Sequence, residues 1–131
     1  MPSRAATLSP DFRDLLSAFN AHGVEYLLVG AYAMADHGRV RATGDLDVWI
    51  RPEQGNARRV LAALAEFGAP VHGLTESDLA SADLVFQIGL EPVRVDILTS
   101  VDGLTFDQAW GGRVETHLGD QPVAVLVIAH Q

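Results

Sequence analysis

"GRVRATGDLDVWI", residues 38 to 50, sets two aspartates one residue apart at the mouth of an apolar run. Side chains alternate faces along a strand, so Asp45, Asp47 and Trp49 share one face and Leu46, Val48 and Ile50 the other. The second set is a core face. The first brings two like charges together on the side of a strand that is otherwise ready for burial. Arg39, Arg41 and Thr43 precede them in a polar loop, and Arg51-Pro52 stops the strand.

The surrounding segments place this strand in a mixed domain. Upstream, Ser9-Pro10-Asp11 is a helix start, with Phe12, Leu15, Leu16 and Phe19 at helical spacing and Gly23 as the stop. "VEYLLVG" (24–30) reads as a short apolar strand ended by glycine, and "AYAMADHG" (31–38) as a short helix opening after Gly30. Downstream, "EQGNARRVLAALAEFG" predicts a helix with Val60, Leu61, Leu64 and Phe67 on one side. "APVHGLTESDLASAD" reads as a loop with one helical turn. "LVFQIGL" and "VRVDILT" predict a hairpin around Glu91-Pro92, "FDQAWGG" a short helix, and "RVETHLG" with "PVAVLVI" a final strand pair. The expectation is an α+β fold, α/β-like, with a mixed sheet of four to six strands and helices packed on it. One domain over residues 1–131 suits the length. The chain stops at "VIAHQ", after a strand, where further helices are expected.

Composition narrows the function classes. Hydrophobic residues make up 48% and charged residues 20%, globular values. There is no cysteine, so no disulfide framework and no thiolate metal site. His22, His72, His117 and His130 lack ligand-like spacing, which argues against zinc, and His37 beside Gly38 reads as the end of its helix. No signal-peptide core and no apolar run long enough to span a bilayer is present, so the expected location is cytoplasmic and no membrane partner is expected. The net charge is −8 and every one of the nine basic residues is arginine, a poor endowment for general nucleic-acid binding. Exposed strand edges in a short domain favour a homodimer or a protein partner.

The alternation rule applied to "VRVDIL" puts Val93, Val95 and Ile97 on a core face and Arg94, Asp96 and Leu98 on the other. If that strand neighbours residues 45–50, Asp96 lies beside Asp45 or Asp47 and three carboxylates converge. Such a cluster repels itself unless a cation relieves it, and Mg²⁺ (or Mn²⁺) is a hard ion that prefers carboxylate, water and phosphate oxygens. Two such ions can clamp a triphosphate and activate an attacking hydroxyl. The bland reading of D-x-D is two solvated acids. What favours the metal reading is Gly30, fifteen residues before Asp45, at a strand-to-helix turn where backbone N–H groups can receive phosphate. Glycosyltransferases and aspartyl phosphatases also carry D-x-D, but there the apolar run typically precedes the motif; here it follows.

Taken together, "LLVGAYAMADHGRVRATGDLDVWI" resembles the signature of the DNA polymerase beta-like nucleotidyltransferase superfamily, and most closely the small bacterial nucleotidyltransferases related to the AbiEii toxin group. The similarity covers roughly residues 24 to 100. It implies a nucleoside triphosphate as substrate, Mg²⁺ as cofactor, and transfer of a nucleoside monophosphate to an acceptor hydroxyl on RNA, a protein or a small molecule. Within it Asp45 and Asp47 match the metal-binding pair and Asp96 the third carboxylate, which also helps deprotonate the acceptor. Gly30 and Ala31 would cradle phosphate through their N–H groups. Arg41 pairs either with phosphate or within its own loop, and Thr43 either donates to phosphate or caps the turn before Asp45. Ala31 stands where the pattern has serine or glycine, and the family's C-terminal helices have no counterpart. These departures keep a second reading open: a catalytically weak module of the same fold, acting like an antitoxin through a protein partner.

Overall fold

The computed structural model describes residues 10–29, 46–90 and 93–126. Gly30, Ala31, Arg41, Thr43 and Asp45, together with the expected helix 31–38, lie outside them. In chain order the elements are α1 (Pro10–Ala21), β1 (Tyr26–Val29), β2 (Leu46–Ile50), α2 (Gln54–Phe67), α3 (Glu76–Leu79), β3 (Val85–Leu90), β4 (Val93–Leu98), α4 (Phe106–Gly111), β5 (Val114–Leu118) and β6 (Gln121–Val125). Every element expected within the described residues is present.

The six strands form one sheet in the order β3-β4-β2-β1-β6-β5. Three pairs are antiparallel, β1 with β2, β3 with β4 and β5 with β6; β2 runs parallel to β4, and β1 to β6. The motif strand β2 therefore sits inside the sheet, between β1 and β4. A central strand satisfies its backbone groups on both edges, which fixes the direction of every side chain it carries.

The sheet separates two apolar clusters. On one face, Leu46, Val48 and Ile50 of β2 pack with Val95 and Ile97 of β4 and with Phe12, Leu15, Leu16 and Phe19 of α1. Val60 and Leu64 of α2 complete that layer. The helical periodicities of α1 and α2 thus cover the face that alternation assigns to the core. On the other face, Leu27 and Val29 of β1 gather Trp49 of β2 and Phe106 and Ala109 of α4. Trp49 is 1% exposed, its ring edge-on to Phe106 at 5.3 Å between centroids. It packs in this cluster, its buried indole N–H meeting no acceptor among the described residues.

Local chemistry explains where the elements stop. Gly68 closes α2 at φ 94°, its N–H donating to the carbonyls of Leu64 and Ala65, a left-handed cap that glycine adopts without steric cost. Thr75 and Thr105 each start a helix through a reciprocal capping box, with Asp78 and Gln108 respectively. Asn56, fully buried at the start of α2, holds the ends of β1 and β2 together. Its Oδ1 accepts from Glu25 N–H, and its Nδ2 donates to the carbonyls of Glu25 and Arg51.

Candidate active site

The register of the sheet places the acids. Asp47 of β2 is directly opposite Asp96 of β4 in the parallel pair. Residues so paired point to the same face at the interstrand spacing of about 4.8 Å. Two carboxylates 49 positions apart in sequence are thereby neighbours, because a parallel crossover through α2 and the β3–β4 hairpin returns the chain beside β2. On its other side Asp47 is paired with Val29, the last residue of β1. The acids therefore sit at the end of the sheet where β1 runs toward Gly30, on the face that carries Trp49 and α4.

Asp96 is 17% exposed at its side chain. Its Oδ1 is buried and accepts no hydrogen bond among the described residues. Among the described residues Arg94, two residues back on the same face, is paired with it, its Nε 3.9 Å from Oδ1. That is an ion pair too long to count as a hydrogen bond. A buried carboxylate oxygen without a hydrogen donor is costly in a finished structure. It is the property expected of a ligand atom that a cation satisfies. On the far side of β4, Gln87 of β3 is paired with Asp96, so one row across four strands reads Gln87, Asp96, Asp47, Val29. Alternation in "LVFQIGL" puts Gln87 opposite Phe86 and Ile88, so its place in this row was available in the sequence once the hairpin partner was known.

Among the described residues no group of three or more histidines, cysteines or acids forms a metal cluster. Two of the three carboxylates in the motif, Asp47 and Asp96, are within that set and are brought together. Asp45 belongs to the segment outside it, as do the phosphate-side residues Gly30, Ala31, Arg41 and Thr43. The paired acids and the buried oxygen of Asp96 suit a divalent ion, which Asp47 and Asp96 would hold.

The electrostatics elsewhere are structural. Arg51, at the other end of β2, pairs with Glu25 and with Asp107 and lies over the Phe106 ring at 4.7 Å, which ties α4 to the sheet. Arg113 covers the outer side of Trp110 at 4.1 Å. A cleft of about 460 Å³ opens where the end of α1 meets β5 and β6, lined by residues such as Asn20, Tyr26, Trp110 and His117. Tyr26 donates to Asn20 there, and burial pushes its phenol pKa up, so it stays neutral. Neither Asp47 nor Asp96 lines this cleft.

A six-stranded mixed sheet with α1 and α2 on one face is consistent with a nucleotidyltransferase fold. No protein-family model matches the chain, and no curated protein does. Among solved structures, it is similar to the lincosamide antibiotic adenylyltransferase LnuA in its lincomycin-bound crystal form. The likeness covers 92% of this chain and 81% of that one, with a TM-score of 0.51 and 17% sequence identity. At that identity it is the fold that the two share.

Proposed function

We propose that this chain is a Mg²⁺-dependent nucleotidyltransferase that moves a nucleoside monophosphate from a nucleoside triphosphate to an acceptor hydroxyl. The observation that carries the reading is the pairing of Asp47 with Asp96 on one face, next to the end of β1. Asp45, Asp47 and Asp96 would hold the divalent ions, which when bound offset phosphate charge and polarise the α-phosphate. Asp96 would also help take the proton from the acceptor hydroxyl. The acceptor oxygen forms a bond to the α-phosphorus, the bond from that phosphorus to the bridging oxygen breaks, and pyrophosphate leaves. Gly30 and Ala31 receive the phosphates through backbone N–H groups, with Arg41 and Thr43 as further donors.

The adenylyl transfer to a lincosamide antibiotic named for LnuA supports ATP as first donor and a hydroxylated small molecule as first acceptor to test. Kinship with the AbiEii toxin group and a toxin–antitoxin setting belong to this proposal through the Arg41-x-Thr43-x-Asp45-x-Asp47 stretch, and leave RNA and protein acceptors in the panel.

Incubation with each α-labelled triphosphate, Mg²⁺ and a panel of lincomycin, tRNA and the protein itself should yield a labelled acceptor. Asp47→Ala should lower that labelling by about a thousandfold or more, the scale on which a group that stabilises a transition-state charge acts. Absence of label with every donor and acceptor, alongside intact nucleotide binding, would leave the weak binding module as the correct reading.

A further inference from the structure

The two edges of the sheet differ in chemistry. β5, at one edge, carries Glu115 and His117 in its five residues, with Arg113 beside them pairing with Glu115 at 3.2 Å. Charges of this kind discourage another strand from adding to an edge. β3, at the other edge, reads Val-Phe-Gln-Ile-Gly-Leu and contains no charge and no proline. Its pairing with β4 runs unbroken from Val85 to Leu90, with no bulge to twist the outer side away. No described strand pairs with that outer side, and Val85 is 57% exposed. In a chain of net charge −8, an uncharged, regular six-residue edge is a template for strand addition.

We infer that β3 is an interaction edge and that its partner is β3 of a second copy of this chain, added antiparallel about a two-fold axis through Gln87. The sequence of the strand is self-complementary in that register. Gln87 meets Gln87 of the second copy, where two amides can each donate and accept. Phe86 meets Ile88, and Ile88 meets Phe86, on the face of α1 and α2. Ile88 is already in that cluster and Phe86 is partly buried against it, so the pairing carries one apolar layer across the seam. Val85 meets Gly89, both exposed, so a valine side chain faces a position with no side chain to clash with it. Any shift of register by one residue would set Phe86 of one copy against the polar face of the other.

The axis is perpendicular to the sheet, so both acid pairs emerge on the same side. Each Asp96 stands one strand in from the seam, and the two are separated by three strand spacings, about 14 Å. The joint alone is smaller than a standard interface, so association is reversible and depends on concentration. The inference rests on edge chemistry and does not require nucleotidyl transfer.

Sedimentation velocity over a dilution series, with EDTA present, tests it. The wild-type protein should move from monomer to dimer as concentration rises. Gln87→Lys and Gln87→Glu, at an exposed position, should each weaken the dimer several-fold by placing like charges opposite one another, with far-UV circular dichroism unchanged. An equimolar mixture of the two variants should recover a dimer at least as tight as wild type. Monomer at all concentrations, a dimer indifferent to both substitutions, or failure of the mixture to recover would each overturn the inference.

Discussion

Single residues fix this architecture where a polar group must be buried. Asn56 is the clearest case: one buried side chain serves three partly buried backbone groups at the ends of β1 and β2. Its replacement strands those groups, and an unsatisfied buried group costs about 1–3 kcal/mol. Asn56→Ala should therefore destabilise the protein by about 2–4 kcal/mol in urea unfolding, well beyond what a surface substitution does. A loss below about 0.5 kcal/mol would mean that water replaces the amide there. Asp96 is the opposite case. Its buried oxygen meets no hydrogen donor among the described residues, which leaves it open to a cation.

Elements are joined by fewer and more exposed contacts. Arg13 of α1 reaches the turn between β5 and β6, donating from Nε to Asp120 Oδ1 at 2.7 Å and from Nη2 to Oδ2 at 2.5 Å. Those hydrogen bonds hold the Asp120 carboxyl down at about 2 from an ordinary 3.8. The folded state therefore binds the proton less readily than the unfolded one. The pair stabilises the fold above the ordinary value, and that contribution fades as pH falls from about 4 toward about 2. Unfolding midpoints measured at both ends of that window should fall less for Asp120→Asn than for wild type. Equal falls would show the pair to be energetically silent, as many surface pairs are. At this scale the sequence was highly legible. The period of Phe12, Leu15, Leu16 and Phe19 and the alternation in Leu46, Val48 and Ile50 follow directly from which face each element buries. Asn56 and the Arg51 pairs were not legible, because they answer to the ends of strands brought together from distant parts of the chain.

For the whole molecule, topology decides function. Alternation assigned Asp47 and Asp96 to the faces of their own strands, but neither strand names its neighbour. Only the order β3-β4-β2-β1-β6-β5, with β2 parallel to β4, sets one acid opposite the other. The second apolar cluster around Trp49 and Phe106 was illegible for the same reason: α4 contributes two of its members and is too short to show a stripe. The resemblance in residues 24–100 supplied the missing adjacency as an expectation, and the sheet register agrees with it at the two acids it includes. The proposed activity requires that pair to seat a divalent ion. Titration with Mn²⁺ followed by electron paramagnetic resonance, in the presence of a non-hydrolysable ATP analogue, measures this directly. Saturable binding by the wild type, weakened about tenfold or more in Asp96→Asn, is the predicted result; no saturable binding, or equal affinity in the variant, would contradict it.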